Sequence, residues 1–142
     1  NAAALSQTSL EQLLIQIRNA VDNNGKRIRL TPTQIVTGPS NVFQAETLLK
    51  SVLKTGTADN DINPVKSMGL LGDGQANLSR ITSNTAWWVQ TDAPEGLKLL
   101  MRRGLEKSME GDFATDSMRY KATERYTVGW TDPRAVFGTP GV

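Results

Sequence analysis

Tyr120-Lys-Ala-Thr-Glu-Arg-Tyr-Thr-Val-Gly-Trp-Thr-Asp-Pro-Arg-Ala-Val-Phe-Gly138 decides the fold class of this chain. Tyr126, Val128 and Trp130 alternate, so one large apolar side chain falls on the same face at every second residue. Threonine and aromatic residues suit a pleated, half-buried surface. The extended run breaks at Asp132-Pro133 and carries none of the usual catalytic side chains in a catalytic pattern. It reads as scaffolding.

Working outward, Ser117 to Thr123 and Glu124 to Trp130 read as strand, and Thr85-Ala-Trp-Trp-Val-Gln-Thr91 as another. On a strand Trp87 and Trp88 face opposite ways, so one is core and the other covers a layer or meets another subunit. Leu97 to Leu105 fits a strand or a helix face. Strand is favoured because turns bound it and Gly104 interrupts it. Glu106 to Asp116 is polar and is expected to be a loop. Ser9 and Gln12 have capping-box spacing, and Leu10, Leu13, Leu14 and Ile17 follow in one stripe, which predicts a helix over 9–22. Val42, Ala45, Leu48, Leu49 and Val52 predict a second over 41–54. Shorter strands are expected at 34–37, 68–71 and 81–82. Residues 55–66 read as a long loop, too poor in apolar surface to order in the isolated chain. The resulting class is α+β, one domain over 1–142, with two helices packed on a mixed sheet holding 85–91 and 117–130.

Composition excludes much chemistry. The 142 residues include no cysteine and no histidine. Disulfides, thiolate metal sites, serine–histidine and cysteine–histidine catalysis and histidine metal ligation are all ruled out within the chain. Sixteen basic and fourteen acidic side chains leave a net charge of +2, with no basic stripe of the kind nucleic-acid binders carry. No apolar run reaches the ~20 residues that span a bilayer.

Three motifs bear on possible chemistry. Ser51-Val-Leu-Lys54 and Lys54-Thr-Gly56 match serine-acylase patterns but share one lysine where two are needed. Gly69-Leu-Leu-Gly72-Asp-Gly74 lacks the Gly-Lys-Ser/Thr ending of a phosphate loop. Glu106, Glu110, Asp112 and Asp116 could serve as paired carboxylates in a hydrolase or as oxygen ligands to a divalent cation. Solvated turn residues explain them more simply.

Several short motifs occur in order: Leu5-Ser-Gln-Thr-Ser-Leu10, Asp22-Asn-Asn-Gly25, Arg29-Leu-Thr-Pro32, Asn63-Pro64, Thr85-Ala-Trp-Trp88 and Gly129-Trp-Thr-Asp-Pro-Arg134. With Phe137-Gly138 and Pro140-Gly141 at the end, the chain resembles the C-terminal part of tailed-phage major capsid proteins with the Hong Kong 97 fold. The resemblance implies a structural subunit of a bacteriophage or prophage icosahedral shell, assembled in the bacterial cytoplasm and located in the virion capsid. It implies an axial domain near hexamer and pentamer axes, with strands of the peripheral domain at about 117–142. No enzyme activity, cofactor, metal, small-molecule substrate or membrane is expected. The partners are other copies of the capsid protein, and DNA is met only indirectly, as packaged genome. A full subunit of this type also has an N-terminal arm, an extended hairpin loop and a spine helix, expected upstream of Asn1. Without them the chain is expected to be mainly monomeric or weakly associated.

Subunit-contact candidates are Asp59, Asn60 and Asp61 in the loop expected to reach the symmetry axis, and Arg102, Arg103 and Glu106 as register-setting charges. Two other readings compete. One is a carboxylate-dependent hydrolase using the 106–116 segment. The other is a nucleic-acid-binding module using Lys98, Arg102 and Arg103, which would show a steep salt dependence.

Overall fold

The computed structural model describes residues 2–54 and 61–141, in two units. The first unit comprises residues up to Pro94 together with the segment from Pro133 onward, and the second is Glu95–Asp132.

The first unit is built on a four-stranded sheet in the order β2-β1-β3-β6, with β1 Pro32–Thr37, β2 Gln75–Asn77, β3 Trp87–Thr91 and β6 Val136–Thr139. The second unit holds two further strands, β4 (Leu97–Asp112) and β5 (Ser117–Trp130). β1 pairs in parallel with β2 and antiparallel with β3, and β3 pairs antiparallel with β6. Helix α1 (Gln7–Arg18) buries Leu10, Leu14 and Ile17 at helical spacing. Ser6 caps it: its hydroxyl accepts from the Ser9 amide at 3.2 Å, while the Ser9 hydroxyl accepts from the Ser6 amide at 2.9 Å. Helix α2 (Val42–Lys50) buries Ala45 and Leu48, and the short α3 (Pro64–Ser67) buries Val65. These side chains meet Ile35, Trp87 and Val89 from the sheet in one core. Trp87 is almost fully buried, and its indole N–H donates to the Ala3 carbonyl at 3.0 Å. Trp88 is only partly buried and lies opposite Gly138 on β6.

The second unit is a long two-stranded ribbon, β4 (Leu97–Asp112) paired antiparallel with β5 (Ser117–Trp130). Strand 117–130 therefore does not share a sheet with 87–91, as the pattern suggested. Its hydrogen bonds go to 97–112, and the place beside β3 is taken by β1 and β6. Residues 106–112 are strand, not loop, because Thr123 to Ser117 supply their partners.

Smaller corrections follow from caps and turns. α1 starts two residues earlier and stops at Arg18, and α2 stops at Lys50. No strand forms at 68–71 or 81–82. Leu71 instead adopts a positive φ of 61° in a turn, and the short strand lies at 75–77. Of the loop expected over 55–66, residues 55–60 lie outside the described residues. The remainder holds the Leu53–Ile62 bridge and the start of α3.

Candidate subunit-contact surface

Register and alternation divide the ribbon side chains between two faces. β5 runs without interruption, so its even-numbered residues share one face and its odd-numbered residues the other. The odd face carries Ser117, Arg119, Lys121, Thr123, Arg125 and Thr127. The even face carries Met118, Tyr120, Ala122, Tyr126, Val128 and Trp130, with Glu124 among them. Partners directly opposite in an antiparallel pair lie on the same face. Leu97, Leu99 and Met101 thus join Trp130, Val128 and Tyr126, and Met109 joins Tyr120. Glu106, Ser108, Glu110 and Asp112 fall on the polar face, opposite Thr123, Lys121, Arg119 and Ser117.

The ribbon is therefore sharply amphipathic, and its apolar face is uncovered in the single chain. Leu97, Leu99, Met101, Tyr126, Val128 and Trp130 are each between 57 % and 72 % exposed, and Tyr120 reaches 76 %. Nine large side chains exposed to this degree present on the order of 1,000 Å² of apolar surface. A typical soluble monomer's largest apolar patch is about 300–600 Å², and larger ones mark interaction sites.

Two irregularities interrupt β4 between Met101 and Glu106, where extra residues accumulate on that strand alone. Arg102, Arg103 and Glu106 gather there, with Arg103 Nε 3.8 Å from a Glu106 carboxylate oxygen and both side chains exposed. Arg103 also lies directly opposite Arg125, a like-charge pairing that disfavours the local ladder. Asp61 belongs to the first unit, where its carbonyl accepts from the Lys54 amide at 2.8 Å. Asp59 and Asn60 lie outside the described residues. The structure thus brings together three of the six candidates, on the ribbon. The larger surface, the apolar face, was visible in the sequence only as the short alternation at 126–130.

The carboxylates considered for hydrolysis are dispersed. Glu106, Glu110 and Asp112 lie along β4, and Asp116 lies in the turn with a φ of 50°. Asp112 is engaged by Arg119 at 2.8 Å and by the Ala114 amide at 3.1 Å. Among the described residues no three acidic side chains converge as a metal site would require. Among the same described residues no helix is long and apolar enough to cross a membrane. The first unit also has an apolar groove of about 300 Å³ between α1 and α3, lined by Leu14, Ile15, Val65, Met68 and Leu70, with Glu11 and Arg18 beside it.

A family model described as Phage capsid protein matches residues 1–138. No curated protein and no solved structure matches.

Proposed function

The chain belongs to the phage capsid protein family, and on that premise we propose that it is a structural subunit of a bacteriophage or prophage icosahedral shell of the Hong Kong 97 type. The family is a structural one, which supports a role as a component of the virion capsid that assembles with further copies of itself. The finer parts of the proposal are the shell type, hexamer and pentamer contacts, and assembly in the bacterial cytoplasm. The observation that supports the subunit contacts is the uncovered apolar face of the ribbon Leu97–Trp130 in a chain of this family, while the shell type and place of assembly rest on the resemblance of its sequence motifs. Such a surface is costly in water and is relieved when subunits meet. Asp59, Asn60, Asp61, Arg102, Arg103 and Glu106 are proposed as further contact residues. Exposed charge pairs of this kind contribute only about 0–1 kcal/mol each, and so tune register more than affinity.

Which part of the subunit the chain represents belongs to the same proposal. In one placement residues 1–142 form the axial domain, with strands returning to the peripheral domain from about 117. The hairpin Leu97–Trp130 favours a second placement, in which this ribbon is itself the extended hairpin loop of the subunit. Electron cryomicroscopy of particles assembled from the protein decides between them. The expected density shows a Hong Kong 97 shell with the ribbon lying on a neighbouring subunit. A shell of another architecture, or a ribbon facing solvent on both sides, would overturn the proposal.

A further inference from the structure

Two charged side chains interrupt the apolar face of the ribbon, Lys107 and Glu124. Both are exposed, and among the described residues neither has an ionic partner. Lys107 lies opposite Ala122, so it sits at the level of residue 122 on β5. Glu124 sits two residues nearer the base. The level midway between them is that of Thr123, within one residue of the middle of β5, which runs from Ser117 to Trp130. The two charges that the regular pairing places on this face are therefore opposite in sign and placed symmetrically about its centre. A two-fold contact has this requirement, because wherever residue i meets residue j, j also meets i.

We propose that two copies of this chain associate through their ribbons, apolar face on apolar face and antiparallel, about a two-fold axis at the level of Thr123. This rests on the reading of the ribbon as a subunit-contact surface. In this arrangement each Lys107 approaches the partner's Glu124, one strand spacing of about 4.8 Å to the side, which a lysine side chain spans. The same register stacks large apolar groups on each other. Tyr126 and Met101 fall over the partner's Tyr120 and Met109, Val128 falls over the partner's Met118, and Leu99 falls over the partner's Gly111 beside it. Trp130 reaches the partner's turn, where Phe113 is fully exposed. Sheets stack in this way about 10 Å apart with strands within about 30° of one another.

The area supports a second copy as the occupant. A stable interface needs about 800 Å² from each partner, and the face presents on the order of 1,000 Å². A register displaced by two residues in either direction would bring one of the two charges against its own copy in the partner and leave the other facing apolar side chains, both of which are unfavourable. Charge thus selects one register along a surface that is otherwise uniformly apolar.

Sedimentation of the chain across a micromolar concentration range tests this. The expected result is a monomer–dimer equilibrium for the unmodified chain. K107E and E124K should each weaken it about tenfold or more, since each places two like-charge pairs in the contact. The double variant K107E/E124K should return the dissociation constant to within about threefold of the original. Circular dichroism of each variant, expected to be unchanged, controls for folding at these exposed positions. A monomer at all concentrations, single variants that associate normally, or a double variant that stays weak would each overturn the proposal. Failure of the capsid reading would appear separately, as absence of the protein from particles. Rescue by the double variant would stand without particle incorporation, and normal incorporation without rescue would sink this contact alone.

Discussion

Asn63 donates from its side-chain amide to the carbonyls of Leu48 at 2.7 Å and Ser51 at 3.0 Å, and accepts from the Val65 amide at 3.1 Å. One buried side chain thereby satisfies the end of α2 and the start of α3. Asn63→Ala should cost about 2–3 kcal/mol, because two buried backbone groups and one partly buried one lose a partner. Thermal unfolding measures this, and a shift of under one degree would show that water replaces the amide without penalty. Gly138 is constrained by proximity. A Cβ there would stand 2.3 Å from the Trp88 Cβ and 2.9 Å from the Trp87 carbonyl oxygen. Gly138→Ala should therefore lower stability by about 1–3 kcal/mol through overpacking, even though the backbone itself is ordinary strand. In the core, Leu14→Ala should cost about 2–5 kcal/mol, and Leu13→Ala distinctly less, because Leu14 is buried and Leu13 only partly so. Equal melting temperatures for the two variants would contradict this placement of the α1 stripe.

At the scale of elements, the central strands and the ribbon should behave differently. β1 and β3 are flanked on both sides by paired strands and carry the core, whereas β4 and β5 have only each other. A lone two-stranded hairpin is marginal in water. Hydrogen exchange should show strong protection at Ile35, Val36 and Val89, and fast exchange at Arg102–Leu105, where the ladder is irregular. Uniform protection along β4 in a dilute sample would refute this. The same contrast explains what could be read from sequence. The two helices were legible because each buries one stripe against a sheet, so burial repeats along the chain. Ser6 and Ser9 are three residues apart and both suit a cap, so local pattern alone did not separate them. Segment 106–112 reads as loop in the sequence because its side chains on one face, Glu106, Ser108, Glu110 and Asp112, are polar, and its pairing partner lies on β5. β2, with only Gln75, Ala76 and Asn77, has no apolar signal. Its pairing is set by β1. The apolar face escaped notice for a related reason: extra residues in β4 shift its alternation between Met101 and Glu106, so only pairing with β5 shows that Met101 and Met109 share a face.

On the scale of the whole molecule, the ribbon changes the expectation for association. The expectation of a mainly monomeric chain rests on an arm, a hairpin loop and a spine helix all lying outside it, and Leu97–Trp130 is a long hairpin within it. Replacing Lys98–Gly129 with a short glycine-containing turn should leave the first unit folded, since its core residues all lie outside that segment. Near-ultraviolet circular dichroism from buried Trp87 should survive the deletion, and its loss would show that the units depend on each other for folding. The chain leaves the sheet at the end of β3 and re-enters it at β6, the strand hydrogen-bonded alongside. The whole ribbon is thus an insertion between two neighbouring strands of an antiparallel pair. An insertion anchored in this way can change length in steps without re-threading the sheet, and each added residue pair extends it by about 3.4 Å. Evolution or a designer can therefore adjust the length of the contact strip without altering the sheet into which it is inserted.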